Sequence, residues 1–166
     1  MKIELLQDHP EFIDELNGLF FNEWHHFYPG SKLSGWKSGL LTRVNEKIIP
    51  TTLVAFNDDV TFGSAAIVVN DMKTRLELSP WLAGVFVKKE YRNKGIGKAL
   101  INEIENLAKE LNVKMLYLFT ENKSEYYKKL KWEIKEQTVY QNIAVTIMQK
   151  KLLVADLQSA GKACTP

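Results

Sequence analysis

Trp81-Leu-Ala-Gly-Val-Phe-Val87, followed by Lys88-Lys-Glu-Tyr-Arg92-Asn-Lys-Gly95-Ile-Gly97-Lys98 and a run on to Leu111, decides how this chain is read. The first part is a continuous apolar run of strand length, closed off by a basic, glycine-containing segment. The last part places Ile96, Leu100, Ile104, Leu107 and Leu111 on one helical face, at intervals of four, four, three and four. The order is therefore buried strand, tight loop, amphipathic helix, with Gly95 and Gly97 where the helix begins. Amides at a helix start lack intrahelical acceptors and carry partial positive charge, so that end suits an anion. Lys88, Lys89, Arg92, Lys94 and Lys98 crowd the same segment, against Glu90 as its one acid. Together these features make a phosphate-binding device.

Two common phosphate loops are excluded. Leu100 stands where the dinucleotide fingerprint needs its third glycine, and no Walker A pattern occurs. Arg92-x-x-Gly95-x-Gly97 instead resembles the acetyl-CoA pyrophosphate loop of the GNAT superfamily of N-acetyltransferases. Val85-Phe-Val87 is similar to that family's fourth strand, and Glu90-Tyr91-Arg92 to its approach to the loop. Tyr127-Lys-Lys-Leu-Lys-Trp132 is similar to its Tyr-Glu-Lys-Leu-Gly-Phe segment. Residues 81–135 carry the resemblance, and the remainder follows it by element order alone.

The resemblance implies a single α/β (α+β) domain over 1–154. It would have a mixed sheet of about seven strands, helices on both faces and a splayed parallel strand pair. It also implies acetyl-CoA as co-substrate. Arg92, Asn93, Lys94, Gly95, Ile96, Gly97 and Lys98 would hold the pyrophosphate. Val85, Phe86 and Val87 would pair through their backbone with the pantetheine arm, as an added strand does. A backbone N–H near Phe86 would face the oxyanion. Thr120 stands where many members carry an asparagine that bonds the arm. Tyr127 would be the general acid, since a phenol with pKa near 10 stays protonated at neutral pH. Tyr126 beside it competes for the role. Lys131 departs from the usual glycine, so the turn after that helix must form without one. Gly84 is the expected bulge that starts the splay.

The whole chain sets outer bounds. Its 166 residues are enough for one domain with a proper core. A net charge of +2 argues against a general nucleic-acid binder. Cys164 is the only cysteine, so neither an internal disulfide nor a cysteine-rich metal site can form. No apolar run reaches membrane-spanning length, and the N-terminus does not read as a signal peptide. The expectation is a cytoplasmic enzyme with no metal, no nucleic acid and no membrane partner. Its oligomeric state is open, a homodimer among the options. Residues 155–166 lack apolar periodicity and read as a flexible tail, with Cys164 exposed.

Outward from the centre, Lys2–Leu6 reads as a strand. Asp8 reads as the N-cap of a helix to Trp24, with Phe12, Leu16, Leu19 and Phe20 inward. An aromatic loop, Trp24-His-His-Phe-Tyr28, precedes Pro29-Gly30. The spacing predicts a second helix over 34–47, with Trp36, Leu40, Leu41 and Val44 inward. Strands at 51–56 and 60–69 make a hairpin. A strand at 113–119, a short helix at 124–130 and a hairpin of 132–139 with 142–150 complete the chain. The unit from Trp81 to Phe119 is a βαβ, whose two strands should run parallel.

Acyl transfer also needs a base, and Glu77, Asp71, His25 and His26 remain open candidates. His25-His26 is not a metal pair, because neighbours on a helix point apart and no third ligand is suitably spaced. Trp24, His26 and Tyr28 are expected to line the acceptor side. The acceptor would be a primary amine on a small molecule or a peptide. A non-catalytic acetyl-CoA sensor of the same fold is the alternative.

Overall fold

A computed structural model gives the fold of residues 1–155. Cys164 and the expected tail beyond Ala155 lie outside the described residues. One seven-stranded sheet comprises β1 (Lys2–Leu5), β2 (Thr51–Asn57), β3 (Val60–Val68), β4 (Trp81–Val87), β5 (Met115–Thr120), β6 (Glu133–Tyr140) and β7 (Ile143–Lys151), in the order β1-β2-β3-β4-β5-β7-β6. All neighbours run antiparallel except β4 and β5, the parallel pair of the βαβ unit. The helices are α1 (Ile13–Trp24), α2 (Leu33–Leu41), α3 (Ile96–Glu110) and α4 (Ser124–Lys129). Among the described residues no helix is long and apolar enough to cross a membrane.

Strand alternation sorts the core into two faces. From β4, Leu82, Val85 and Val87 pack beside Ile96, Leu100 and Ile104 of α3 and Tyr127 of α4. Trp81 and Ala83 face the other way, onto Phe27 and Tyr140. Phe86 joins Leu16 and Phe20 of α1 on that opposite side. Burying each large apolar side chain contributes roughly 1.5–3 kcal/mol. Both faces of β4 are therefore committed to the core.

The sheet parts at its centre. β4 and β5 register only at Trp81↔Tyr117, where the Tyr117 N–H donates to the Pro80 carbonyl at 3.1 Å. Farther along, β4 leans toward β3. Ser64 pairs with Phe86 and Ala66 with Ala83, so β4 spends one residue more than β3 over this interval. Gly84 takes φ +57° there, a left-handed conformation that glycine adopts freely. It is the bulge expected at the start of the splay. On β3 a Cβ at Gly63 would collide with the Phe86 carbonyl oxygen, so that approach also needs a glycine.

Three features differ from the sequence reading. The helix expected over 34–47 ends at Leu41, because side chains take over the backbone groups that would extend it. Thr42 Oγ1 donates to the Gly39 carbonyl (2.7 Å), and Asn45 Nδ2 donates to the carbonyls of Thr42 (3.0 Å) and Pro50 (2.8 Å). Leu41, expected to face inward, is exposed. Asp8 caps no helix: Leu6–Asp8 and Pro10–Phe12 are short 3-10 turns, and α1 starts at Ile13 without a side-chain cap. Finally, Lys131 itself occupies the left-handed position after α4, at φ +69°.

Candidate active site

The segment between β4 and α3 forms a concave backbone surface. Asn93 and Gly95 are left-handed (φ +60° and +80°), which turns successive N–H groups toward one side. Among the described residues the N–H groups of 93–98 donate to no backbone acceptor, and α3 begins with no side-chain cap. The first helical bond there runs from the Ala99 N–H to the Gly95 carbonyl, at 3.0 Å. The basic residues around the loop have distinct tasks. Arg92 Nε donates to the Val87 carbonyl at 2.8 Å, tying the loop to the end of β4. Lys94 lies over the Tyr91 ring, 5.4 Å from its centre. Lys88 is drawn off to Glu15 of α1 and is only 13% exposed. A Cβ at Gly97 would stand 3.0 Å from Tyr126 Oη, so this glycine keeps the floor of the cradle open.

β4 leads from this cradle into the splay. The Lys88 N–H donates to Phe62 of β3 at 2.9 Å. By strand alternation the backbone polar groups of Phe86 face β3 as well, and those of Val85 and Val87 face the gap left by β5. The backbone groups open to that gap are therefore those of the two residues flanking Phe86, while the Phe86 ring packs near Phe20 and Trp24 (6.3 and 6.2 Å between ring centres). Ile96 is buried in the α3 core, and Lys98 is exposed on the first turn. Thr120 ends β5, and its Oγ1 accepts from the Lys123 N–H at 3.0 Å. Its hydroxyl proton faces no partner among the described residues.

The two tyrosines of α4 separate by environment. Tyr127 is 9% exposed and shares a cluster with Val85 and Val87; its ring stands edge-on to Trp132 at 6.1 Å. Burial, and then the neighbouring Tyr126, push its phenol well above the usual range, so it stays protonated. Tyr126 is 38% exposed and reaches Gly97 in the cradle.

Of the four candidate bases, one interacts with the cation that lies against Gly84. Asp71 follows β3, and burial pushes its carboxyl up to about 6 against the opposing pull of Arg43. His25 meets the Phe21 carbonyl through Nδ1 at 2.7 Å and stacks on Phe21. His26 Nε2 lies 3.1 Å from Glu121, at the rim. Glu77 is exposed. Tyr28 hydrogen-bonds the Tyr140 hydroxyl at 2.9 Å, and burial, with Asp71 also contributing, raises its phenol. Trp24 packs on Phe20 at 5.3 Å. Trp24 thus joins the aromatic group of Phe20 and Phe86, Tyr28 sits against Tyr140, and His26 lies at Glu121 just beyond the end of β5. The sequence reading missed Arg43. Its guanidinium covers Gly84, with Nη1 3.4 Å from where a Cβ would be, and lies over the Phe20 ring at 5.5 Å. No motif or spacing distinguished it.

The fold recurs in solved structures. The chain is similar to an aminoglycoside 6'-N-acetyltransferase complexed with coenzyme A, at 17% identity and TM-score 0.73, over 93% of this chain and 99% of that one. It is similar to the PaiA N-acetyltransferase of Thermoplasma acidophilum in complex with coenzyme A, at 21% identity and TM-score 0.66, over 91% and 99%. It is also similar to ribosomal-protein-alanine N-acetyltransferase of Brucella melitensis, at 20% identity and TM-score 0.68, over 92% and 100%. At these identities the likeness is one of fold. No curated protein matches the sequence. The family model described as acetyltransferase (GNAT) domain matches residues 50–134, which span β2 through α4 and hold both the cradle and the split. With that match over half its length, this chain belongs to the GNAT acetyltransferase family.

Proposed function

We propose that the protein is an acetyl-CoA-dependent N-acetyltransferase working by direct attack in a ternary complex. One observation carries the reading: a row of unpaired amides at the start of α3 adjoins the strand whose parallel partner turns away. The cradle of Arg92 to Lys98 takes the pyrophosphate, and the amides do so through hydrogen bonds strengthened by the anion's charge. The gap-facing groups of Val85 and Val87 take the pantetheine arm and polarise the thioester carbonyl, with Thr120 as a further donor. Coenzyme A bound to the fold neighbours supports this cofactor class. The acceptor nitrogen attacks the carbonyl carbon; a C–N bond forms and the C–S bond breaks. Asp71 accepts the proton from the amine. Tyr127 returns a proton to the departing thiolate.

The test combines acetyl-CoA-induced thermal stabilisation with thiol release on addition of an amine panel. A ligand that binds only the folded state raises its melting temperature. Gly97→Asp puts a side chain and a negative charge into the cradle, so it should abolish that shift while the unliganded protein still melts cooperatively. An undiminished shift in this variant would place the phosphate site elsewhere.

A further inference from the structure

Arg43 is a half-buried cation beside Gly84 and has no ion-pair partner among the described residues. Its Nε is buried and has no hydrogen bond, and no ion pair or side-chain hydrogen bond reaches its guanidinium among the described residues. Phe20 lies beneath it, and Trp24 and Phe86 pack around that ring. Gly84, where the splay begins, lies directly against it. Asp71 is the carboxylate near enough to oppose its loss of charge, yet the two do not close into an ion pair. Desolvating a guanidinium costs free energy that structure alone recovers only through a partner. The site therefore presents a guanidinium with no protein partner, its Nε buried and unpaired, and a separate carboxylate within reach of its charge. Donor forks of this kind match carboxylates in bidentate fashion.

We propose that the acceptor is a primary amine that also bears a carboxylate, with a free amino acid as its simplest form, and that Arg43 binds the carboxylate while Asp71 faces the amine. This rests on the acetyl-transfer reading above. It sets the chain apart from enzymes of polycationic acceptors, because a guanidinium held against Gly84 at the start of the splay repels such an acceptor. The apolar walls of Phe20, Trp24 and Phe86 strengthen the contrast, since a charge pair is worth more where water is excluded.

The experiment measures thiol release from acetyl-CoA with L-amino acids, with the carboxamide and decarboxylated counterpart of each, and with spermidine and kanamycin. At least one amino acid should surpass its carboxamide in kcat/KM. In Arg43→Gln, a shorter variant that keeps an N–H donor but not the charge, that acceptor's KM should rise ~10–100-fold, as expected for losing a charged hydrogen-bonding partner. The KM for acetyl-CoA should stay within about twofold, and the carboxylate-to-carboxamide preference should fall toward unity. Arg43→Lys should recover part of it. Preference for spermidine or kanamycin, or an unchanged acceptor KM in Arg43→Gln, would overturn the acceptor class and leave acetyl transfer standing. If acetyl-CoA neither stabilises the protein nor releases thiol with any amine, the acetyl-transfer reading falls, and the acceptor with it.

Discussion

Tyr126 and Tyr127 are adjacent in α4 and therefore point apart, one to the cradle and one into the core beside Val85 and Val87. Only a protonated phenol can hand a proton to a thiolate, and burial secures that state for Tyr127. Tyr127→Phe keeps the ring against Trp132 and removes only the hydroxyl. General acid catalysis is worth about 10²–10⁴ in rate. A thiolate leaves readily, so kcat should fall toward the lower end of that range with acetyl-CoA binding unchanged. Tyr126→Phe is the control and should alter the KM for acetyl-CoA more than kcat. A silent Tyr127→Phe would mean that solvent protonates the leaving group.

Asp71 gives the residue scale its pH dependence. Its carboxyl titrates near 6 in the fold, against about 3.9 for an unperturbed aspartate. The folded state thus holds the proton more tightly than the unfolded chain. The stability this lends is full below the unfolded pKa and is lost as pH rises through about 6. Above that pH the ionised group is a net burden on the fold, which is the sign expected of a residue kept for chemistry. Asp71→Asn should therefore melt higher than the parent at pH 8, with the difference vanishing below pH ~4. In the parent, kcat/KM should fall as pH drops through about 6. A variant both less stable at pH 8 and fully active would make Asp71 a structural residue.

At the scale of elements, α4 closes with a Schellman motif. The Lys131 N–H donates to the Lys128 carbonyl (3.0 Å), the Trp132 N–H donates to the Tyr127 carbonyl (3.1 Å), and Trp132 packs on Tyr127. α3 ends in the same way, with Asn112 left-handed at φ +59° and the Val113 N–H bonded to the Ala108 carbonyl at 2.9 Å. Asparagine tolerates that conformation and lysine does so poorly. The left-handed cost of roughly 1–2 kcal/mol, less the ~0.5–1 kcal/mol of added chain entropy, makes Lys131→Gly stabilising by about 0.5–1 kcal/mol. Thermal unfolding should show a rise of roughly 1–4 °C. A fall would mean that the lysine stem contributes packing greater than the strain. The same contrast explains what could be read from sequence. The cradle was legible because its parts are consecutive, from Val85 through Lys98, and their order encodes a strand, a loop and a helix start. The acceptor side was not, because Trp24, Arg43, Asp71 and Gly84 come from four elements or loops with no spacing rule between them. α2 was overextended because apolar periodicity at Leu41 and Val44 cannot reveal Asn45 and Thr42 turning the chain.

For the molecule as a whole, a sheet joined at its centre by one residue pair needs another connection between its halves. α3 is that connection. Its apolar face packs on β2, β3 and β4, and the same cluster includes Leu116 and Leu118 of β5 and Met148 of β7. From its inner surface Glu105, 8% exposed, accepts two hydrogen bonds from Lys150 of β7 (2.8 and 2.7 Å) and one from the Trp132 indole N–H (3.2 Å). Lys150 also donates to the Leu130 carbonyl at 2.8 Å, so one ammonium ties α3, β7 and the end of α4. Buried pairs of this kind add little over an apolar replacement, but breaking one strands a charge in the core. Lys150→Met should accordingly cost about 3–5 kcal/mol in denaturant unfolding. Adding Glu105→Gln keeps an acceptor for the indole and removes the stranded charge. The double variant should therefore be more stable than Lys150→Met alone, a sign that simple loss of packing would not give. If the second change instead deepens the loss, the halves are held by the apolar face of α3 and the ion pair is incidental to their union.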